Sequence, residues 1–235
     1  MIVTAHQPAY LPWLGYFDKM IRSDVFVYLD TVQFEKNSFT NRNRIKTAQG
    51  PSWLTIPVNA KDHLSSSMVD LPIDFKQDWI TKHLKSIYAN YKKASRFELV
   101  YPKLEALYLQ KNHNFADFCY HHLLFWVQEL RINTQIIRSS ELNINSKKSQ
   151  LILDLCTILN ANHYISGNLG KNYLQENDFL ENNISIEYQD YKHPSYSQLW
   201  GEFLPYMSIL DFWMNTDNIQ LITGGNNNGM VPRVE

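Results

Sequence analysis

The sequence predicts an α/β fold, a mostly parallel Rossmann-like sheet with a helical insertion in the middle of the chain. Three observations predict it. Short apolar runs at 2–5 and 25–29 end abruptly in polar residues, as strands covered on both faces of a parallel sheet do. Amphipathic segments of helical period separate such runs. Strand, helix and strand fill the first thirty residues, a compact βαβ unit whose crossover is right-handed.

Taken in order, residues 2–5 form a buried strand. Pro12 suits a first helical turn, where its missing N–H would lack a partner anyway. Leu14, Phe17, Met20 and Ile21 then recur at helical spacing, with Asp18, Lys19 and Arg22 on the other side. Residues 24–30 form the next strand. Residues 53–58 read as a third, which Pro57 places at an edge or near a strand end. Residues 59–67 read as a polar loop. Helices follow at 78–91, 97–109 and 114–130, making a mainly helical subdomain over about 70–132. The βα rhythm returns with strand 134–138, helix 149–159, and strands 163–167 and 184–189. No repeat or linker divides the chain, which reads as one domain over 1–235.

The totals bound the function. Lys and Arg number 22 against 23 Asp and Glu, so no global field favours nucleic acid or a membrane surface. Any anion site is local. The 14 Tyr, 12 Phe and 6 Trp serve either packing or a stacking pocket. Cys119 and Cys156 lie in apolar helical stretches outside any CxxC and read as buried thiols in a reducing compartment. No signal peptide or spanning apolar stretch is visible, which suggests a cytoplasmic protein.

Ligands of open parallel sheets sit outside the carboxyl ends of the strands. Polar residues follow five strand ends: His6 and Gln7; Asp30, Gln33 and Lys36; Ser139, Ser140 and Glu141; Ser166, Gly167, Gly170 and Lys171; His193, Tyr196 and Gln198. His6 suits a general base or acid, its unperturbed pKa lying near neutrality, or it merely bonds the turn. Asp30 orients His6, holds a cation or hydroxyl, or caps a turn. His193 supplies a second histidine, or belongs to an ordinary polar turn. Lys36, Arg42, Arg44 and Lys46, interleaved with Asn41 and Asn43, suit a phosphate or carboxylate, or form a solvated loop face. The two glycines and lysine of 166–171 resemble a phosphate-cradling turn but lack the Walker A spacing. Tyr10, Trp13 and Tyr196 line the expected pocket. No Ser-His-Asp order and no cluster with metal-ligand spacing stands out, and no particular cofactor is indicated. His121 and His122 point about 100° apart on a helix and read as packing or surface residues.

Several motifs are familiar together: His6-Gln7-Pro8-x-Tyr10-x-Pro12-Trp13-x-Gly15-Tyr16, Asp30-x-x-Gln33-Phe34-x-Lys36, Asn41-Arg42-x-x-Ile45-Lys46-Thr47 and Trp53-Leu54-Thr55-x-Pro57-Val58. With Tyr164-Ile165-Ser166-Gly167 and Tyr188-Gln189-x-Tyr191-x-His193-Pro194, they resemble the WbqC-like protein family over nearly the whole chain. The tail departs slightly, with Asn215-Thr216 where Asn-x-Gly is expected. The resemblance implies a bacterial cytoplasmic protein of surface-polysaccharide (O-antigen) biosynthesis. A fainter fold-level likeness links the His6–Trp13 turn to HIGH-type nucleotidylyltransferases, with Tyr10 and Trp13 in place of the two histidines.

Three readings result. The first is a transferase, acyl or aminoacyl, moving a group from a phosphate- or carboxylate-bearing donor to a sugar or amine acceptor. The second is nucleotidyl transfer or nucleotide hydrolysis at a modified HIGH-like turn. The third is a non-catalytic partner in a biosynthetic complex.

Overall fold

Strands β1 (Ile2–His6) and β2 (Val25–Tyr28) pair in parallel, with Val3 opposite Val25 and His6 opposite Tyr28. In this computed structural model, which describes residues 1–35, 38–59, 67–110 and 112–224, they form the centre of a five-stranded sheet. The other strands are β5 (Gln135–Arg138), β6 (His163–Ser166) and β7 (Ser185–Tyr188). The order is β5-β2-β1-β6-β7, and every pairing is parallel.

Side chains alternate across a strand, and β2 shows what that does here. Phe26 and Tyr28 enter one core, while Val25 and Val27 enter the other. The first core also holds Leu14, Phe17 and Met20 of α1 (Leu14–Ile21). The second holds Leu151, Ile152 and Leu155 of α5 (Lys148–Ile158) and Phe179 of α6 (Glu176–Glu181). Both faces are therefore covered, which is why β1 and β2 read as continuous apolar runs. Each such fully buried side chain contributes roughly 1.5–3 kcal/mol.

Between β2 and β5 the chain makes a long excursion. It contains a hairpin, β3 (Arg42–Thr47) with β4 (Gly50–Thr55), and then α2 (Trp79–Tyr91), α3 (Phe97–Tyr108) and α4 (Phe115–Glu129). Asp78 caps α2 through the Thr81 N–H and Asn114 caps α4 through the Asp117 N–H, each at 3.1 Å. The three helices share the core of α1 and β2, with Ile87, Leu104 and Trp126 buried there. A last helix, α7 (Ile209–Asn215), packs into the same core.

Three expectations change. The strand expected at 53–58 runs from Gly50 to Thr55 and pairs antiparallel with β3, in a two-stranded sheet apart from the parallel one. β3 itself is the block that reads as polar. Asp18 and Lys19 do not face solvent: Leu14 to Met20 are all buried, because Gln189 and the turn at Ile219–Thr223 cover the outer side of α1. Cys119 and Cys156 are buried and unpaired. No helix among the described residues is long and apolar enough to cross a membrane.

Candidate functional site

The strand order reverses between β1 and β6. The chain leaves β1 into α1 on one face and reaches β6 from α5 on the other. The crevice outside the carboxyl ends of such a pair is the usual ligand position. His6 ends β1 there, and Ser166 ends β6. His6 Nδ1 lies 2.9 Å from the Gln7 carbonyl oxygen, so the proton sits on Nδ1 and Nε2 keeps its lone pair. The ring packs 4.5 Å from Tyr16. Burial, reinforced by the Lys19 charge, lowers the His6 pKa to about 3, so the imidazole is neutral near pH 7.

Lys19 is the neighbour that the helical pattern misassigned. It is 3 % exposed, and Nζ donates to the Ala5 carbonyl at 3.3 Å. Burial lowers its pKa to about 8 against the opposing pull of Asp18. Gly167 lies against it: a Cβ there would stand 3.9 Å from Nζ. The Ser166 hydroxyl donates to the Gly167 carbonyl at 3.0 Å. Gly170 must be glycine for this approach, since a Cβ would fall 2.0 Å from Ser166 Oγ.

Asp30 is wholly buried and does not orient His6. Both of its oxygens serve the end of β5. Oδ1 accepts from the Ser139 hydroxyl and the Ser140 N–H, each at 2.9 Å. Oδ2 accepts from Arg138 Nε at 2.7 Å and the Ser140 hydroxyl at 2.8 Å. Arg138 also pairs with Asp117 at 2.8 Å. Ser140 is thereby engaged as well. The group ties β2 to β5 and to α4.

A second saturated network takes Lys46, Tyr196 and Gln198. Buried Asp211 accepts from Tyr91 at 2.7 Å, Tyr196 at 2.8 Å and Gln198 at 2.7 Å. Burial raises its pKa, and these donors partly offset the rise. Lys46 Nζ donates to Gln198 at 3.0 Å and to the Glu202 carbonyl. These five side chains fasten the 196–204 segment to β3, α2 and α7.

The remaining candidates divide by what they touch. Buried Asn43 donates to the Leu11 carbonyl at 2.6 Å, holding the turn where Leu11 has a φ of 47°. Asn41 donates to the Ile56 carbonyl at 2.8 Å, and Gln7 to the Thr40 hydroxyl at 3.2 Å. Tyr10 is fully buried and lines no surface; its hydroxyl meets His83 at 2.8 Å and Tyr108. Gln33 bridges to Ser67. Lys36 lies outside the described residues. Arg42 stacks 4.5 Å over exposed Trp53, whose ring also meets Arg44 at 5.6 Å and Phe39 at 5.4 Å.

Trp13 and His193 meet in an aromatic box that the sequence did not outline. Trp13, the residue before α1, lies over Gly15, where a Cβ would fall 2.2 Å from its ring. The rings run Trp13–Tyr191 at 5.3 Å, Tyr191–His193 at 6.3 Å, His193–Tyr206 at 5.1 Å and Tyr206–Trp13 at 6.0 Å. Ser208 bridges to Trp13, and Arg44 reaches the Tyr206 carbonyl at 3.4 Å. Tyr191 OH, His193 Nε2, Arg44 Nε and Ser208 Oγ are all buried atoms without a hydrogen-bond partner among the described residues. His193 Nδ1 bonds the Pro194 carbonyl at 2.9 Å, which leaves Nε2 as an acceptor, and burial lowers the ring's pKa.

The fold defines the class as a Rossmann-like α/β protein with polar groups gathered at the switch point of its parallel sheet. The chain belongs to the WbqC-like protein family, whose sequence model matches residues 7–221. It is 34% identical over 211 residues to the uncharacterized protein Rv1507c of Mycobacterium tuberculosis (strain ATCC 25618 / H37Rv), covering 89% of this chain and 91% of that protein. No solved structure matches the chain.

Proposed function

We propose that the chain is a cytoplasmic group transferase, of acyl or aminoacyl type, that acts on an amino sugar or nucleotide-linked sugar in surface-polysaccharide biosynthesis. The observation that carries small-molecule binding is the box around Trp13: the buried Tyr191 hydroxyl and His193 Nε2 of its rings, and Ser208 Oγ and Arg44 Nε of residues that adjoin it, have no hydrogen-bond partner among the described residues. Leaving such groups unmet costs about 1–3 kcal/mol each, and a hydroxyl- or amine-bearing acceptor would satisfy them. Family membership supports the biosynthetic setting that the motifs imply.

In this reading His6 is the base. The acceptor amine attacks the carbonyl carbon of the donor. A C–N bond forms, the bond from that carbon to the leaving group breaks, and the amine proton passes to His6 Nε2 and on to the leaving group. The neutral imidazole holds its lone pair ready near pH 7. Trp13, Tyr191 and His193 hold the acceptor over the turn that follows His6. Incubating the protein with acyl-CoA and aminoacyl donors and a panel of nucleotide sugars, read by mass spectrometry, tests it. A product is expected from the native protein and none from a folded His6→Ala variant. A fully active His6→Ala protein overturns the role of His6, and no product from the native protein with any donor overturns the transferase reading.

A further inference from the structure

Lys19 projects from the middle of α1. Long helical side chains lean toward the helix N-terminus, and that direction carries this ammonium up to the end of β1. The Ala5 carbonyl at 3.3 Å is its one hydrogen-bond acceptor among the described residues. Adjacent Asp18 offsets only part of the cost of burying it: that carboxylate also accepts from Gln189 at 2.6 Å and faces Arg22 at 3.5 Å. Among the described residues Lys19 enters no ion pair. A buried ammonium whose desolvation is only partly offset lowers stability, and an apolar side chain of similar size would raise it. The fold therefore gains nothing from this charge by itself.

What surrounds Nζ suits an incoming oxyanion. Gly167 presents bare backbone to it, and any side chain there would begin to fill the space at 3.9 Å. The Ser166 hydroxyl donates to the Gly167 carbonyl and Gly170 keeps it close, so it shapes this turn beside the ammonium. β1 and β6 are the two strands between which the sheet order reverses, so the ammonium lies beneath the crevice where ligands enter such sheets.

We propose that Lys19, beside the bare backbone of Gly167 in the turn that Ser166 shapes, forms an anion site that takes the phosphate or carboxylate group of a small-molecule substrate. The site rests on the transferase reading only for the identity of the molecule that carries the anion. His6 and Asp18 are the titratable groups that interact with Lys19. Burial is the larger cause that holds His6 down and the Lys19 charge adds to it; a bound oxyanion offsets that second part and so moves the imidazole upward.

The test titrates the full chain with inorganic phosphate, pyrophosphate and acetate. It follows the His6 ring signals by NMR and the melting temperature. Saturable binding of at least one probe is expected, and the strongest probe tells phosphate from carboxylate. Lys19→Met should weaken it by about tenfold or more, the scale of one charge-assisted hydrogen bond, while Lys19→Arg retains it. Lys82→Met, at an exposed position, should bind like the native protein. No saturable binding of any probe overturns the site, as does binding by Lys19→Met at native strength. If Lys19→Met fails to fold, loss of binding in a folded Gly167→Leu variant is the expected result, and native binding there overturns the site. No transfer product from the native protein, with anion binding that still needs Lys19, would remove the transferase reading and leave the anion site standing.

Discussion

Asp30 and Lys19 are both charged, both buried, and both placed at neighbouring strand ends, yet the chain treats them oppositely. The carboxylate of Asp30 takes four hydrogen bonds, one from a guanidinium, and has nothing left to offer. The ammonium of Lys19 has one carbonyl at 3.3 Å. The Asp211 network and the box around Trp13 repeat the contrast a short distance away. Saturated polar groups fasten elements together; groups with capacity to spare belong to a site. Polarity at a strand end does not separate the two.

The largest effect expected falls on the saturated side. Asp30→Ala takes from Arg138 one of its two carboxylate partners and from Ser139 and Ser140 their shared acceptor, and should cost about 3–5 kcal/mol in urea unfolding. A cost under about 1 kcal/mol would return Asp30 to the list of available groups.

Lys19→Met tests the opposite side. The variant should be more stable than the native protein at pH 7, by about 1–4 kcal/mol. The sign follows from linkage: a lysine lowered to about 8 from 10.5 makes the unfolded chain take up more protons between those values. Native stability therefore rises across that window, and the gap to Lys19→Met should close toward pH 10.5. A destabilised Lys19→Met protein would place Lys19 with Asp30.

His122 challenges the contrast from within, since neither of its ring nitrogens has a hydrogen-bond partner among the described residues, yet it is packed between Phe118 and Tyr108. Burial lowers its pKa to about 3, against 6.5 when unfolded. Its stability contribution is present above pH 6.5 and falls by about 1.4 kcal/mol per pH unit as acid approaches the folded value. His83, lowered to about 4, adds to the slope. His122→Phe should flatten the acid limb of a stability–pH curve and gain about 1–3 kcal/mol at pH 7. An unchanged acid limb would show that His122 is hydrated in the native protein.

The smallest effect is Tyr196→Phe, which removes one of three donors to Asp211 and should cost about 1–2 kcal/mol by thermal unfolding. A change below about 0.3 kcal/mol would loosen the case that this network holds the 196–204 segment.

The sheet was legible in the sequence because burial on both faces leaves unbroken apolar runs, and the strand ends that carry His6, Asp30 and Ser166 followed from it. β3 was not. Its Arg42-Asn43-Arg44 carries no apolar alternation, and Asn43 and Lys46 are buried by partners 32 and 152 residues distant, at Leu11 and Gln198. Lys19 was hidden for a related reason. Helical period assigned it to the outer side of α1, but that side is roofed by Gln189 and the 219–223 turn. The family resemblance reached the right family from local motifs, which is where local signals suffice. Which of the polar groups are saturated depends on pairings across the whole chain, and no local pattern records them.

The excursion between β2 and β5 has a consequence for how the chain is made. Val25 pairs with Gln135, so one edge of β2 has no strand beside it until the hairpin and three helices have been synthesised. At about 5–20 residues per second, the ribosome leaves that apolar edge waiting for roughly 5–20 s. Local helices close far faster than that. After α1, the insertion that widens the core is thus the next cover available to the nascent sheet, and β5 is the strand that ends the exposure of this edge.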